Sequence, residues 1–272
     1  MPSRFETDTA VTEVAPGLYD ARMDRGWWIE RGPNGGYVAA VILRGMEAAV
    51  GDPGRTPRSL TVHYLAPPAE GLVRIETTRE RIGRQLTFVS ARLRQGDRLL
   101  ATAQAAFALP MPGMEFADIV MPDVPMPEDV PVTEQDPGVG PPIAMRERYE
   151  MRRCIGAPPF SGAPLAFAGG WIRTSEPTPS SHALVTAITE AWMPPIFSRA
   201  RVRMAVPTID LTVHFRAPLP PASPDQPADP WFLVVFRSQV AADGFVEEDG
   251  EVWTRSGVLV AHSRQLAVLL PV

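Results

Sequence analysis

A carboxylate that occurs in only one of two repeated segments is the first candidate for chemistry in this sequence. The segment DLTVHFRAP, which begins at Asp210, repeats SLTVHYLAP, which begins at Ser59, with Leu, Thr, Val, His, Ala and Pro in register. Positions that both copies share serve the fold, whereas the first position changes from Ser59 to Asp210. A carboxylate can accept the proton of an attacking water molecule. Asp210 is therefore a candidate general base; the alternative is that it begins a strand or pairs with a nearby arginine.

The histidines give weaker evidence of chemistry. His63 and His214 occupy the same position in the two copies, and a shared position favours a structural role over that of a general base. His182 and His262 have no counterpart in the other half and no evident partner. Since no two histidines have the spacing of a metal site on one helix, the sequence predicts no metal ion.

Two adjacent glycines, Gly35 and Gly36, are a second candidate for a chemical role. They follow Asn34, which can cap a helix that continues to Gly51. Backbone N–H groups at a helix N-terminus can bind an oxyanion, and the helix dipole adds to that effect. The alternative is that glycine only lets this helix and a sheet approach closely. The helix body is apolar on nearly all sides, which predicts that a sheet surrounds it.

Composition excludes several classes of protein. A net charge of −5 argues against a nucleic-acid surface. The single cysteine, Cys154, excludes an internal disulfide, and the absence of lysine excludes a P-loop lysine and Schiff-base chemistry. The chain has neither the Gly-x-Ser-x-Gly elbow of serine hydrolases nor the Gly-x-Gly-x-x-Gly loop of dinucleotide enzymes. No apolar signal segment or membrane span is present, so we expect a cytoplasmic protein.

The elements that position these residues are predicted from hydrophobic alternation and turn signals. In the first half a hairpin is predicted at 5–23, and the helix at Asn34 is followed by consecutive strands. A helix followed by antiparallel strands indicates an α+β domain. The predicted strands of this half are 59–65, 72–79, 86–94 and 99–107.

The second half repeats this order after a connection at 109–142 in which prolines recur too densely for a regular element. Its helix is predicted from His182 to Met193. The predicted strands of this half are 146–154, 165–174, 208–216, 231–240, 244–254 and 258–268. The chain therefore divides into a domain at 1–115, a linker at 116–143 and a second domain at 144–272.

Four segments resemble the acyl-CoA thioesterases of the double hotdog type, similar to thioesterase II. They are NGGYVAAVILRGM from Asn34, PTIDLTVHFRAP from Pro207, FRSQVAADGF from Phe236 and GVLVAHSRQ from Gly257. The resemblance covers essentially the whole chain. It implies two tandem hotdog units, each with an antiparallel sheet around a central helix, and hydrolysis of an acyl-CoA thioester to the free acid and coenzyme A.

The resemblance also implies a catalytic set of an Asp, a hydroxyl residue and a Gln that hold the attacking water. By position these are Asp210, Ser238 and Gln265, and the match at Ser238 is loose by one residue. Gly35 and Gly36 remain candidates for the oxyanion. The set needs no cofactor beyond the coenzyme A of the substrate, and arginines are expected to meet the phosphates of that coenzyme A. The sheet edges leave a homo-oligomer open.

Two other functions remain open from the sequence. One is a hotdog hydratase of enoyl-CoA, in which Asp210 and His214 would converge on one substrate carbon. The other is a module that binds acyl-CoA or lipid without turnover. Release of free thiol from acyl-CoA, loss of enoyl absorbance, or tight binding with neither would separate the three.

Overall fold

The computed structural model describes residues 1–134, 143–219 and 231–272. The linker predicted at 116–143 therefore lies partly outside the described residues. In chain order the described helices and strands are α1 (Arg4–Asp8), β1 (Val11–Ala15), β2 (Leu18–Met23), α2 (Gly35–Val50), β3 (Thr56–Tyr64), β4 (Gly71–Ile82), β5 (Leu86–Gln95), β6 (Arg98–Ala108), β7 (Tyr149–Gly156), β8 (Ala166–Thr174), α3 (His182–Ile188), α4 (Ile196–Arg199), β9 (Met204–Ala205), β10 (Thr208–Phe215), β11 (Phe232–Ser238), β12 (Ala241–Ala242), β13 (Phe245–Thr254), β14 (Leu259–Val268) and β15 (Leu270–Pro271).

Strands from both halves join into one sheet across the described part of the chain. Its order is β1-β2-β4-β5-β6-β3-β10-β14-β13-β11-β8-β7, and each neighbouring pair is antiparallel. The first half supplies six strands on one side of the β3–β10 junction, and the second half supplies six on the other, with the short β12 paired to β13 as the thirteenth strand. The domain boundaries at 115 and 144 stay a prediction.

The repeated segments pair with each other at the centre of this sheet. In the β3–β10 pair, Thr61 lies opposite Thr212, and the two hydroxyl oxygens are 3.0 Å apart. These threonines occupy the same position of the repeat, so an approximate twofold axis passes between them. As a result, Asp210 lies opposite His63 in this pair.

The long helix α2 is the centre of the first half, as its apolar composition predicts. The Asn34 side chain accepts a hydrogen bond from the N–H of Tyr37, and Gly51 ends the helix in the left-handed conformation with φ 65°. Ten of its sixteen residues are buried. Both halves bury apolar side chains against α2 and α3 in a single core. The face of the sheet that carries these helices is called the inner face below, and the opposite face the outer face.

Two predicted elements differ in the structure. The segment from Phe5 was predicted as part of a hairpin, but residues Arg4–Asp8 form α1, because Ser3 and Glu6 make reciprocal capping bonds that start a helix. The second-half helix ends at Ile188 instead of Met193. The next residues tighten into a turn before Pro194, which disfavours helical geometry in the residue that precedes it.

The proline-rich connection lies on the outer face of the second half. Met121, Val124 and Val130 pack with Trp171 and Trp231 in a second, smaller core. The Trp171 indole N–H donates to the Pro125 carbonyl oxygen at 2.8 Å. The connection contains no strand among its described residues, as predicted, and one short 3₁₀ turn at Pro127–Asp129. No helix in the described ranges is long and apolar enough to cross a membrane.

Candidate functional site

The structure places Asp210 and Gln265 on different faces of the sheet. Asp210 lies opposite His63 and Leu266, which are exposed. Gln265 lies opposite Leu211, whose side chain is in the core. Directly opposite residues on neighbouring strands point to the same face. The side chain of Asp210 is therefore on the outer face, and that of Gln265 is on the inner face.

A β-bulge at the start of β10 accounts for the position of Asp210. The pairing shifts between Thr208, which lies opposite the buried Ala267, and Asp210, which lies opposite Leu266. An extra residue, Ile209, stands between the two positions, so Thr208 and Asp210 do not share a face as residues two apart normally do. Thr208 consequently occupies the inner position, where its hydroxyl donates to Oε1 of Gln265 at 2.9 Å.

Four polar residues lie side by side on the inner face of the second half, on the neighbouring strands β10, β14, β13 and β11. Glu248 lies opposite Gln265, and both are 8% exposed. Ser238 shares the inner side of β11 with Phe236, and its buried hydroxyl has no hydrogen-bond partner among the described residues. With Thr208, these side chains form what we call the inner polar row: Thr208, Gln265, Glu248 and Ser238.

A further carboxylate, Glu190, lies between the inner polar row and the N-terminus of α2. A Cβ atom at Gly35 would be 2.1 Å from Oε2 of Glu190, so the carboxylate rests directly on the first turn of the helix. The other oxygen, Oε1, is buried and has no hydrogen-bond partner among the described residues. The Glu190 carbonyl oxygen accepts from the Asn34 amide at 2.7 Å, which fixes the end of α3 to the start of α2.

Burial changes the protonation of both buried glutamates. Desolvation raises the pKa of Glu190 to about 7, although the hydrogen bond from the Gly36 N–H favours its ionised form. Desolvation raises the pKa of Glu248 well above its ordinary value, and the nearby negative charge of Glu190 adds to the rise, against a hydrogen bond from Gln265. Burial therefore favours the neutral acid form of Glu248, whereas Glu190, whose pKa is about 7, can gain or lose a proton near neutral pH.

The first turn of α2 presents backbone donors beside Glu190. The Tyr37 N–H bonds to Asn34, and the Val38 N–H makes the first intrahelical bond. The N–H groups of Gly35 and Gly36 precede any intrahelical partner, as at every helix N-terminus. The Tyr64 hydroxyl donates to the Gly35 carbonyl oxygen at 2.8 Å and holds this turn against β3.

The structure thus brings together Gln265, Ser238, Gly35 and Gly36 of the predicted set, and it does not bring Asp210 to them. Sequence reasoning missed Glu190, Glu248 and Thr208. Glu190 follows α3, whose end was predicted too far along the chain. The other two lie on strands in which a bulge and the pairing register decide which face each side chain occupies. A comparison of matched positions in the two halves could have found Glu248, as discussed below.

The histidines lie elsewhere. His63, His214 and His262 are on outer-face positions of the central strands, and His182 starts α3, where its ring meets Phe215 edge to face at 5.1 Å between centroids. None of the four stands in the inner polar row. In the described part of the chain no group of three or more His, Cys, Asp or Glu side chains is arranged to hold a metal ion.

Two family profiles match this chain. The profile of the acyl-CoA thioesterase C-terminal domain matches residues 127–269, more than half of the chain, and that of the acyl-CoA thioesterase N-terminal domain matches residues 24–108. Proteins of unassigned function from Mycobacterium bovis and Mycobacterium tuberculosis are 25% identical to it over 275 residues, which cover 93% of this chain and 91% of theirs.

Solved structures share the fold. A hot dog fold protein of unknown function from Alicyclobacillus acidocaldarius aligns over 100% of both chains with 27% identity and a TM-score of 0.86. The acyl-CoA thioesterase II of Mycobacterium marinum aligns over 98% of both chains with 21% identity and a TM-score of 0.76. The predicted double hotdog fold is therefore confirmed.

Proposed function

The chain belongs to the acyl-CoA thioesterase family, and from this premise we propose that it hydrolyses an acyl-CoA thioester to the free acid and coenzyme A at the inner polar row. Glu190 is the general base in this proposal. Gln265 and Thr208 orient the attacking water, and the N-terminus of α2 binds the oxyanion.

The observation that carries the proposal is the environment of Glu190. Its carboxylate rests on the first turn of a sixteen-residue helix, and its Oε1 atom is buried without a hydrogen-bond partner among the described residues. A buried polar atom without a partner is costly to the fold and is a frequent sign of a functional group. A base is most effective when its pKa is near the working pH, and burial raises the pKa of Glu190 to about 7.

The reaction follows from this arrangement. Ionised Glu190 takes a proton from water while the water oxygen attacks the thioester carbonyl carbon. The carbonyl oxygen becomes an oxyanion, which the Gly35 N–H group and the helix dipole stabilise. The C–S bond then breaks, and the proton on Glu190 passes to the departing sulfur. The products are a carboxylic acid and a thiol, and Glu190 is again ionised.

The second glutamate has a different task. Glu248 lies opposite Gln265, and a hydrogen bond joins the two side chains. Because Gln265 is held on both sides, by Glu248 and by Thr208, its amide has a fixed orientation toward the water. Ser238 completes the row from β11. Glu248 and Ser238 are therefore positioning residues in this proposal.

Asp210, the base predicted from the repeat, is the rival assignment. Its outer-face position separates it from Gln265 by the thickness of the sheet. The two assignments make opposite predictions for a pair of isosteric substitutions, Glu190→Gln and Asp210→Asn. Each removes one carboxylate charge and leaves the side-chain volume nearly unchanged.

The test measures thiol release across acyl-CoAs of graded chain length. With Glu190 as the base, Glu190→Gln lowers kcat by about 10²- to 10⁴-fold, the usual contribution of a general base, while Asp210→Asn keeps nearly the full rate. Loss of rate in Asp210→Asn with retention in Glu190→Gln would assign the base to Asp210. Circular dichroism and a melting curve of each variant separate loss of chemistry from loss of fold.

The same preparations address the two functions that the sequence leaves open. No histidine stands in the inner polar row, so nothing in the described site favours the hydratase. Loss of enoyl absorbance without thiol release would establish hydration instead. Tight acyl-CoA binding with neither signal, unchanged by Glu190→Gln, would establish a binding module.

A further inference from the structure

A cavity of about 350 Å³ opens on the outer face of the second half, on the side of the sheet opposite the inner polar row. His214 and His262 line it and lie directly opposite each other on β10 and β14. Arg264 on β14 and Arg237 near the end of β11 also line it, together with Gln239. We call this cavity the outer pocket.

Positive charge surrounds the two histidines. Arg216 donates from Nε to Nδ1 of His262 at 3.0 Å. The Arg264 side chain is 66% exposed and that of Arg237 is 42% exposed, so solvent and ligands can reach both guanidinium groups. Burial lowers the pKa of His214 and of His262, and the charge of Arg216 lowers it further. Both histidines are therefore neutral near pH 7 and can take up a proton when negative charge arrives.

Two carboxylates in the outer pocket offset only part of this charge. Glu251 is held by Arg237 and by the Trp253 indole N–H, so it is already paired. Asp249 lies 3.6 Å from Nη1 of Arg264, which is longer than a good hydrogen bond. The lining itself balances two guanidinium groups against two carboxylates, and Arg216, which contacts His262 from beside the pocket, adds one positive charge. An anion can therefore bind Arg264 without displacing a tight ion pair.

The outer pocket and the inner polar row use neighbouring residues of the same strands. Side chains alternate between faces along a strand, so each strand gives one residue to the row and the adjacent residue to the pocket. The adjacent pairs are Ser238 and Arg237 on β11, Glu248 and Asp249 on β13, and Gln265 and Arg264 on β14. Gln239, which also lines the pocket, directly follows Ser238 at the end of β11.

We propose that the outer pocket binds the phosphate groups of the coenzyme A part of the substrate, with Arg264 and Arg237 as the phosphate-binding residues. This inference rests on the proposed function, which places the thioester at the inner polar row. Arginine suits the task because its planar fork donates two parallel hydrogen bonds to a phosphate. The arm between thioester and phosphates then passes around the end of β11 at Ser238 and Gln239.

Nuclear magnetic resonance of the imidazole protons tests occupancy without catalysis. The chain has four histidines, of which two line the outer pocket. Adenosine 3′,5′-bisphosphate carries phosphates but no thioester, and its binding should raise the pKa of His214 and His262 by roughly half a unit or more, as a nearby negative charge does. His182, on the inner face, should not respond. Unchanged titration curves for His214 and His262 at saturating nucleotide would overturn the proposal.

Kinetics with a truncated substrate tests the same contact. Arg264→Gln installs the residue found at the matched position of the first half, Gln104. It should raise KM for acyl-CoA about tenfold, the loss of one charge-assisted contact, and leave KM for the corresponding acyl-pantetheine unchanged. Arg92→Gln removes an exposed outer-face arginine from the first half and should change neither value. An equal rise for both substrates would contradict phosphate binding by Arg264.

The two proposals fail in distinguishable ways. If the nucleotide raises the pKa of the two histidines while acyl-CoA releases no thiol, phosphate binding in the outer pocket is supported and the proposed hydrolysis is wrong. If thiol is released while the pKa values of the two histidines stay unchanged and Arg264→Gln has no effect on KM, the proposed hydrolysis is supported and phosphate binding in the outer pocket is wrong.

Discussion

The two halves carry different residues at matched positions of the same sheet. Leu60 lies opposite Ala105 in the first half, and its repeat counterpart Leu211 lies opposite Gln265 in the second. One strand further, Ala105 faces Val89, whereas Gln265 faces Glu248. The positions that hold the inner polar row in one half are thus apolar in the other.

The starts of the two strands at the sheet centre show the same contrast. Thr208 and Pro57 occupy matched positions, each followed by a bulge in the pairing with the next strand. Thr208 donates a hydrogen bond to Gln265, whereas Pro57 has neither a side-chain donor nor a backbone N–H. The fold therefore tolerates apolar residues at these positions. Burying a row of polar side chains lowers the stability of the fold, so its presence in the second half indicates a function.

The two helix N-termini differ in the same direction. At the start of α2, Gly35 leaves room for Glu190, and the Tyr64 hydroxyl bonds to the Gly35 carbonyl oxygen. At the start of α3 the first residue is His182, which packs on Phe215, the repeat counterpart of Tyr64. Only the first of these ends is built to receive a polar group. The duplicated fold thus differs at its two helix N-termini.

Of the substitutions that make the two halves alike, Gln265→Ala should have the largest effect. Gln265→Ala matches Ala105 and removes the amide that orients the water, so kcat should fall about a hundredfold, in the range of a lost oxyanion or water-orienting donor. Thiol release at saturating acyl-CoA measures it. Gln104→Ala, an exposed position on β6, is the matched control and should keep full activity. Equal rates for Gln265→Ala and the unmodified protein would remove Gln265 from the site.

The second prediction concerns stability and pH. The pKa of Glu190 is raised from 4.5 to about 7 in the folded state, so the folded state holds this proton more tightly than the unfolded state. Stability therefore falls as pH rises between these two values, by roughly 3 kcal/mol in total, and stays at the lower level above them. Glu190→Gln removes this loss.

Urea unfolding of the unmodified protein and of Glu190→Gln at several pH values checks the second prediction. The variant should be the more stable protein at pH 8, on the order of 2 to 3 kcal/mol, and the difference should shrink toward pH 4. Asp210→Asn, which removes the outer-face carboxylate, is the matched control. If the difference in unfolding free energy between Glu190→Gln and the unmodified protein is the same at all pH values, the pKa of Glu190 is not raised by folding.

The third prediction concerns Gly35→Ala, which fills the space beside Glu190 at the N-terminus of α2. Gly35→Ala places a methyl group 2.1 Å from the present position of Oε2 of Glu190, so the carboxylate must move off the helix. We expect kcat/KM to fall about tenfold, as a displaced catalytic group costs one to two orders of magnitude. His182→Ala changes the first residue of α3 and should leave kcat/KM unaffected. Full activity in Gly35→Ala would place the base elsewhere.

The smallest effect should come from Tyr64→Phe, which copies Phe215 into the first half. The substitution removes the hydrogen bond from the Tyr64 hydroxyl to the Gly35 carbonyl oxygen. Urea unfolding should show a loss of about 1 kcal/mol, the usual net value of one such bond, and kcat should change less than threefold, under 1 kcal/mol of activation free energy. A loss of activity as large as that of Gly35→Ala would give Tyr64 a direct part in the chemistry.

Much of the fold could be predicted because its signals are local. Alternation in the strands, the Asn34 and Gly51 caps of α2 and the proline-rich connection are each read from a few neighbouring residues. The hairpin predicted at 5–23 forms over β1 and β2, but its first residues form α1 instead, because a capping box at Ser3 starts a helix. The helix predicted to end at Met193 stops at Ile188, where a turn takes over.

The candidate site could be predicted only in part. Gln265 and Ser238 were found by resemblance, the two glycines were found by their place at a helix N-terminus, and these four residues lie together. The face that Asp210 occupies could not be read from its position in the repeat. One extra residue in β10 decides which face it occupies. Nor could alternation reveal Glu190, because its place depends on how α3 ends against the start of α2.

The sequence by itself determined that the protein is a duplicated α+β fold with helices wrapped by strands, since a repeat and its periodicity are written in residue order. Only the tertiary structure decided which carboxylates are buried beside a helix N-terminus. Burial and proximity arise when residues distant in the chain, such as Gly35 and Glu190, are brought together, and the protonation of a carboxylate depends on those surroundings.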